Sequence, residues 1–325
     1  MSLATHIRTL GRGPGRSRSL SREEARDAME IILSKKAAPE AVGALLMLMR
    51  YRGETAPEIA GFTDALRVGV QDWTGLPVAL DWPSYAAGRT RGAPLFLLAA
   101  KLVALAGYPV LLHGWNSHQQ AVASVRAGLA DLGIARAHTP AEAKALLQRD
   151  AIAYVAAETL HVPALDLLRL RDDLGLRSCL NTVLRMLNPA DAPAMVQGVF
   201  HPSYRDLQSD AADILGQPSL SVIKGGGGEF ERHPGKALTL MGLRKGTRFE
   251  TVVPELIDAS RRLHEPTLHP VCLAALWHGE QDDPFASACV IGTATLALMT
   301  CGLDADKARE AAHDLWACRS VRSAA

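Results

Sequence analysis

The first 70 residues carry apolar side chains at helical spacing, with a polar start signal before each apolar run. Ser21 and Glu24 have the spacing of a capping box, which predicts a helix that begins directly after Ser21. A second helix is predicted from Pro39, and a third after Thr55. The pattern therefore predicts an all-helical domain over residues 1–70.

Beyond residue 70, short apolar runs alternate with stretches that are rich in Ala and Leu. Strands buried on both faces read as continuous apolar runs, so this alternation predicts a mostly parallel sheet with helices on both sides. The predicted strands are 78–81, 110–113, 152–156, 195–200, 220–224 and 249–253. The predicted helices are 95–106, 119–132 and 141–148, with two more in the last 45 residues. The fold class is therefore α/β, with 71–325 as the α/β domain.

Composition and charge narrow the class of protein only slightly. The chain has 325 residues, of which 48% are hydrophobic and 21% charged, and its net charge of +1 selects no partner. Its five cysteines form no C-x-x-C pair, which indicates reduced thiols rather than a zinc site. The N-terminus lacks a signal-peptide core, and Lys101 and Pro109 interrupt the longest apolar stretch. We therefore expect a cytoplasmic protein without a membrane span.

Two longer motifs resemble segments of one enzyme family. Residues 49–55 read MRYRGET and are followed by EIAG at 58–61, which is similar to a "MKGET…EEIAG" segment. Residues 174–178 read LGLRS, and LNPA and QGV follow at 187–190 and 197–199. This second set is similar to "LGVRT…NPA…Q..GV", and its spacing is the more specific of the two.

A third motif is the pair His113 and Gly114, which follows an apolar strand and is similar to a "KHGN" turn. On these motifs the chain resembles glycosyltransferase family 3, in particular the anthranilate phosphoribosyltransferase-like proteins. The resemblance implies a nucleoside phosphorylase/phosphoribosyltransferase-like fold. In it, a small helical domain, with a helical contribution from about 174–192, joins the larger α/β domain across a cleft. It also implies a homodimer, and it places Arg177 against the carboxylate of an aromatic acid.

The segments that would hold a leaving diphosphate depart from the family pattern. In place of the "GTGGD" phosphate loop, residues 81–88 read DWPSYAAG, where bulky rings replace glycines and a proline removes an N–H donor. The "NIST" segment is the apolar PLFLL at 94–98, and Leu112 stands where "KHGN" has its lysine. The magnesium-binding pair "DE" aligns with Gly228 and Glu229, which leaves one carboxylate.

Transfer of a phosphoribosyl group requires donors and metal ions that stabilise the departing diphosphate. Each lost contact costs about 2–4 kcal/mol of transition-state stabilisation. Four losses at the site of one ligand therefore predict a protein without phosphoribosyltransferase activity and without a cofactor. Magnesium is expected only if the transferase alternative holds, with Glu229 as its candidate ligand.

Several side chains near the implied cleft are candidates for binding an anion. Arg177 has two interpretations of equal weight, an anion-binding role and a structural one. For His113 a structural role is favoured, and packing is favoured for Trp115 over a stacking surface shared with His118. The candidate substrate- or anion-binding residues are His113, Gly114, Asn116, Arg177, Lys224, Gly225, Gly226, Gly227 and Gly228.

The run of four glycines that follows Lys224 has a function of its own to consider. Consecutive glycines after a strand can expose consecutive N–H groups to an anion, and the alternative is a flexible turn. The run lacks the GK[ST] ending of a nucleotide P-loop, so that motif is excluded. We favour an anion-binding loop because basic residues follow it. These are Arg232, Lys236, Arg244, Lys245 and Arg248.

A second basic cluster lies near the N-terminus, where Gly and Ser separate the arginines Arg8, Arg12, Arg16, Arg18, Arg22 and Arg26. Such a segment is an electrostatic footprint for phosphate polymers, and the alternative is a solvated surface arm. The candidate nucleic-acid-binding residues are Arg8, Arg12, Arg16, Arg18, Arg22, Lys224, Arg244, Lys245 and Arg248.

Three functions remain open. The leading hypothesis is a non-catalytic homodimer that binds single- or double-stranded nucleic acid without sequence preference. It is supported by the resemblance, which extends to a branch of the family that has lost transferase activity and binds nucleic acid. The competing hypothesis is an active phosphoribosyltransferase that uses phosphoribosyl diphosphate and an acidic aromatic acceptor. A protein–protein scaffold is the third, and a small phosphate or carboxylate is a further candidate ligand for the cleft.

Overall fold

The computed structural model describes residues 2–13, 15–86, 92–115, 123–259, 261–263 and 271–319. Its N-terminal part holds the helices α1 (Ala4–Gly11), α2 (Arg22–Leu33), α3 (Pro39–Arg52) and α4 (Ala56–Arg67). The predicted capping box of α2 is formed, because the Ser21 hydroxyl accepts from the N–H of Glu24. At α4 the N–H of Thr55 donates to Glu58 over 2.8 Å. The helices predicted from these signals are confirmed.

A single mixed sheet forms the centre of the α/β part. Its strands are β1 (Leu80–Ser84), β2 (Val110–Gly114), β3 (Arg136–Ala137), β4 (Ile152–Ala156), β5 (Ala194–Val199), β6 (Ser219–Lys224), β7 (Leu238–Arg244) and β8 (Thr247–Val253). Among the described residues the strand order is β3-β4-β2-β1-β5-β6-β7-β8. The first six strands in this order are parallel, and β7 and β8 add an antiparallel hairpin. The mostly parallel sheet is therefore confirmed, although β3 and β7 were not predicted.

Helices cover the sheet on both faces. They are α5 (Phe96–Leu105), α6 (Val125–Asp131), α7 (Pro140–Asp150), α8 (Ala157–Leu160), α9 (Val162–Arg169), α10 (Arg171–Leu174), α11 (Leu180–Arg185), α12 (Tyr204–Ile214), α13 (Leu273–His278), α14 (Pro284–Thr300) and α15 (Ala305–Ala317). The helix predicted at 119–132 begins outside the described residues, and its described part is α6. None of the described helices is both long and apolar enough to span a membrane.

Alternate residues along the strands pack into two separate hydrophobic cores. On β2, Leu111 packs into the core that contains α1 to α4, whereas Val110 and Leu112 pack into the core that contains α5, α14 and α15. The N-terminal helices thus lie against one face of the sheet and the C-terminal helices against the other.

The short helices between β4 and β5 also belong to the first core. They begin at Ala157, earlier than the helical contribution expected from about 174. The guanidinium of Arg67, at the end of α4, donates to the carbonyls of Leu187 over 3.0 Å and Met186 over 3.2 Å. These bonds fix α4 against the chain that follows α11, and they position the helices that line the cleft.

Candidate functional site

An open cleft of about 100 Å³ lies where the carboxyl ends of β1 and β5 approach helices α3 and α11. We call its α3 and α11 side the helical wall, formed by Arg50, Arg177, Ser178, Asn181, Thr182 and Arg185. We call the opposite side the sheet wall, formed by Tyr85, Ala86, Val199, Phe200, His201 and Gly227. Tyr204, at the start of α12, completes the lining.

The helical wall gathers three arginines. Partial burial lowers the pKa of Arg177, and the positive charges of Arg171 and Arg50 lower it further. Burial also lowers the pKa of Arg185, an effect that the carboxylate of Glu229 opposes. Arg177 and Arg185 remain protonated at neutral pH because a guanidinium titrates far above it. The prediction that Arg177 faces the cleft agrees with this geometry, and Arg50 and Arg185 are partners that the sequence did not single out.

Two acidic residues that bond to the sheet wall and to α5 are buried inside the protein. Glu229 is only 1% exposed, and its carboxylate accepts from the Ser84 hydroxyl over 2.8 Å and from the Ala86 N–H over 3.3 Å. Glu231 is also 1% exposed and accepts from the N–H of Phe96, at the start of α5, over 3.0 Å. The turn after β1, where a phosphate loop would lie, thus already binds a carboxylate of the protein itself.

Glu229 therefore does not fit the role of a magnesium ligand. Magnesium prefers several accessible oxygen ligands in octahedral geometry. The Glu229 carboxylate is buried and bonded within the protein. No group of three or more metal-binding side chains is found in the part of the chain that the structure describes.

The glycine run does not present a row of accessible donors. The N–H groups of Gly225, Gly226 and Gly228 donate to the carbonyls of Val199, Glu231 and Gly225, respectively, over 3.0–3.1 Å. Gly227 alone of the four lines the cleft. The prediction of an anion nest of consecutive N–H groups is therefore wrong, because three of the four donors are already bonded to backbone carbonyls.

The glycines of this region are needed for close packing instead. A Cβ on Gly225 would lie 1.7 Å from the carbonyl oxygen of Glu229, and one on Gly198 would lie 2.0 Å from its carbonyl carbon. A Cβ on Gly114 would lie 2.0 Å from the Ser84 carbonyl oxygen. Backbone segments therefore meet directly at the carboxyl ends of the strands.

His113 belongs to a buried polar cluster. Its Nε2 lies 3.2 Å from Asp81, and its Nδ1 lies 3.0 Å from the Tyr85 hydroxyl. All three side chains are at most 1% exposed, and burial raises the pKa of Tyr85 well above its usual value. The structural role favoured for His113 agrees with these contacts. Trp115 is buried as well, at 6% exposure. Asn116 and His118 lie outside the described residues.

Comparison with known proteins assigns the family. Residues 4–68 match the glycosyl transferase family helical bundle domain, and residues 95–260 match the family's a/b domain. The chain belongs to glycosyltransferase family 3. The anthranilate phosphoribosyltransferase of Afipia carboxidovorans is 30% identical over 279 residues, which cover 82% of this chain and 81% of the relative. That of Methylocella silvestris is 27% identical over 299 residues, which cover 89% and 84% of the two chains.

Solved structures of the same family share the fold. An anthranilate phosphoribosyltransferase from Thermus thermophilus matches with a TM-score of 0.76 at 21% identity, covering 94% of both chains. One from Saccharomyces cerevisiae, in complex with PRPP and Mg, matches with a TM-score of 0.74 at 18% identity, covering 98% of this chain and 96% of the other. The predicted fold, a helical domain with an α/β domain, is confirmed.

This family 3 chain does not collect its predicted basic residues on one surface. β6 and β7 are antiparallel, so Lys224 and Arg244 lie at opposite ends of the pair. Arg248 forms ion pairs with Asp206 and Asp210, and Arg232 is only 2% exposed. The single basic cluster predicted around the glycine run is therefore wrong, although Lys224 and Lys245 are exposed.

Half of the N-terminal arginines are engaged within the protein. Arg18 is paired with Glu24, Arg22 with Asp64, and Arg26 with Glu30. The basic surface of the N-terminal segment is therefore smaller than the sequence predicted. Of these six arginines, the three that are exposed and have no ion pair among the described residues are Arg8, Arg12 and Arg16.

The end of α3 continues the positive charge from this arm to the cleft. Arg52 donates to the Ser17 hydroxyl over 2.7 Å, and Arg50, two residues earlier in α3, lines the cleft. Tyr51 stands between these two arginines and is 91% exposed. The motif MRYRGET contains both arginines, and an R-x-R step around an aromatic residue is the signal that could have found them. We call the following set the cationic track: Arg12, Arg16, Arg52, Arg50 and Arg177.

Proposed function

We propose that this glycosyltransferase family 3 chain is a cytoplasmic homodimer that binds single-stranded nucleic acid without sequence preference and does not transfer a phosphoribosyl group. The observation that supports this function is the cationic track, in which Arg52 contacts the N-terminal arm and Arg50 lines the cleft. Several long-chain cations spread over the arm, α3 and the cleft suit a phosphate backbone better than a single small anion.

The aromatic residue within the track favours a single strand over a duplex. Tyr51 has almost its whole side chain in solvent, and Phe200, at the cleft, is 53% exposed. A base stacked on an aromatic side chain contributes about 1–3 kcal/mol and needs unpaired bases. In a homodimer the track occurs twice, so one polymer gains affinity from effective concentration.

The sheet wall supports the proposed absence of transfer. A leaving diphosphate needs metal ions or free donors directed at its oxygens. Here the N–H of Ala86 donates to Glu229, and the N–H groups of Gly225, Gly226 and Gly228 donate to backbone carbonyls. The cleft can therefore bind an anion through its arginines, but it offers few free donors to a leaving diphosphate.

Fluorescence anisotropy with a labelled oligothymidylate tests this function. We compare the wild-type chain with Arg50→Ala/Arg52→Ala and with the matched control Arg26→Ala/Arg149→Ala, which removes two exposed arginines that neighbouring acids already pair. The track variant should bind at least about tenfold more weakly and lower the salt slope by about 1.4, since each contact to a single strand contributes about 0.7. The control should stay within about twofold of wild type. No association of the wild type at low salt would contradict the proposal, as would equal losses in both variants.

The stacking role of Tyr51 is tested separately. Tyr51→Ala should weaken binding by about fivefold or more, whereas Tyr51→Phe retains the ring and should bind as the wild type does. An equal loss in the two variants would assign the effect to the hydroxyl and not to stacking.

An active phosphoribosyltransferase is the second candidate function, favoured by the curated relatives that reach 30% identity. Incubation with phosphoribosyl diphosphate, Mg²⁺ and anthranilate, followed by chromatography of the product, decides between the two. We expect no product. Turnover that is abolished by Glu229→Gln would establish the transferase and overturn the proposal.

A further inference from the structure

An apolar groove lies between the edge strand β8 and helix α14, and it shares no lining residue with the cleft. Its volume of about 590 Å³ falls within the range of small-molecule sites. Leu256, Ile291 and Leu296 are among the apolar side chains of its walls. A groove of this size and lining suits a ligand with an apolar body.

Two arginines line this groove: Arg309 is exposed at its mouth, and Arg232 is buried within it. Arg232 is only 2% exposed, and its guanidinium donates to the carbonyl of Pro254. Its Nε is buried without a hydrogen-bond partner. No carboxylate among the described residues forms an ion pair with it.

A buried arginine without a counter-charge is costly. Removing a cation from water costs several kcal/mol unless an anion and hydrogen bonds replace its hydration. Burial lowers the pKa of Arg232 to about 10, so the guanidinium is still charged at neutral pH. The groove beside Arg232 is thus mostly apolar and contains one buried cation, which has no anionic partner among the described residues.

The helix that forms the floor of the groove leaves room for this arginine. A Cβ on Gly292 would lie 3.0 Å from Cδ of Arg232 and 2.6 Å from Cδ1 of Leu256. Both distances are shorter than ordinary carbon–carbon contacts. The missing side chain therefore allows Arg232 to reach the groove while Leu256 lines it.

We propose that the groove binds an amphipathic monocarboxylic acid, whose carboxylate pairs with Arg232 and whose apolar body lies along Ile291 and Leu296. The guanidinium can donate to both carboxylate oxygens, which supplies the missing hydrogen bond of Nε and the missing charge together. The groove uses none of the residues of the cationic track, so its ligand is independent of nucleic-acid binding.

Calorimetry with monomeric sodium decanoate tests the proposal on the full chain, with the neutral decan-1-ol as the matched probe. Decanoate should bind one site per chain and bind more tightly than decanol. Arg232→Met should weaken decanoate at least about tenfold and leave decanol within about twofold. Because methionine removes a buried charge at similar volume, this variant should fold and melt at or above the temperature of the unliganded wild type.

Two further variants separate this site from general attraction of anions. Ala288→Trp fills the groove and should abolish binding of both probes, whereas Arg309→Gln, at the exposed mouth, should change decanoate binding by less than about threefold. Failure of the wild type to bind decanoate would overturn the proposal. So would a loss in Arg309→Gln as large as that in Arg232→Met.

Discussion

The two walls of the cleft use their charged residues in opposite ways. On the helical wall, Arg50 and Arg177 direct cations toward the cleft. On the sheet wall, Glu229 and Glu231 turn their carboxylates into the protein, where Ser84, among others, donates to them. The helical wall therefore presents positive charge to the cleft, whereas the sheet wall uses negative charge to hold the ends of its strands together.

This difference explains how the cleft of a family 3 chain can keep cationic side chains while nearby acids are bonded internally. Each arginine of the helical wall acts through its own long side chain, so it can be retained independently of the others. The sheet wall depends on backbone segments in direct contact, because Gly198 and Gly225 lie against the backbone of Glu229. Among the described residues that line the cleft there is no carboxylate, and Glu229 and Glu231 are already bonded within the protein.

The largest expected effect comes from a single methyl group in the sheet wall. In Gly225→Ala the new Cβ would lie 1.7 Å from the carbonyl oxygen of Glu229 and 3.1 Å from the N–H nitrogen of Glu231. The loop cannot keep its present path, and we expect a loss of about 3 kcal/mol or more in the free energy of unfolding, measured in urea.

Gly43→Ala provides the matched control in helix α3. The nearest atom to its new Cβ is Cδ2 of Leu174 at 3.7 Å, and alanine favours helices by up to about 1 kcal/mol over glycine. A Gly225→Ala variant as stable as wild type would show that the sheet wall is not held by close backbone contact.

The next effect concerns Glu229 itself. Glu229→Gln removes the charge that Ser84 and Ala86 donate to and that supports Arg185, so we expect a loss of about 2 kcal/mol in stability. Glu310→Gln, at an exposed position of α15, should change stability by less than about 0.5 kcal/mol.

Thermal melts with and without Mg²⁺ then test the metal directly. An ion that binds the folded state raises its melting temperature. We expect Mg²⁺ to leave the wild type and Glu229→Gln unchanged. A rise in the wild type that is lost in the variant would make Glu229 a magnesium ligand and reverse our view of the sheet wall.

Much of the fold could be predicted because its signals are local. The capping box at Ser21 and the apolar run at 152–156 each specify an element within a few residues. The strand β7 could not be predicted in this way, because Gly242 interrupts it and a Cβ there would lie 1.9 Å from the carbonyl oxygen of Leu220. Only the packing of β6 against β7 explains that glycine.

The site was less predictable because charges pair across long separations. Arg22 binds Asp64, 42 residues away, and the bond from Arg52 to Ser17 joins residues 35 apart. Counting arginines along the arm could not reveal either contact. The pair Arg26 and Glu30 is different, since a separation of four residues on a helix is readable from the sequence.

The smallest expected effect is a pH dependence of stability that arises next to the helical wall. His161 precedes α9, which packs beside α11, and its Nδ1 accepts from the N–H of Ala164 over 3.1 Å. Burial lowers the pKa of His161, so the neutral ring is favoured in the folded state, and only an unprotonated Nδ1 can accept this bond.

The pKa of His161 is lower in the folded chain than in the unfolded one, so its contribution to stability is full above pH of about 6.5. It is lost as the pH falls through the lower pKa of the folded state, and we expect it to amount to about 1 kcal/mol, the usual value of a helix cap. Urea unfolding between pH 8 and pH 5 measures this slope. His161→Asn, which can cap at any pH, should flatten it, whereas His138→Asn, at an exposed position, should not. An unchanged slope in His161→Asn would mean that α9, which contacts the helix α11 that carries Asn181 and Arg185, does not depend on a neutral histidine.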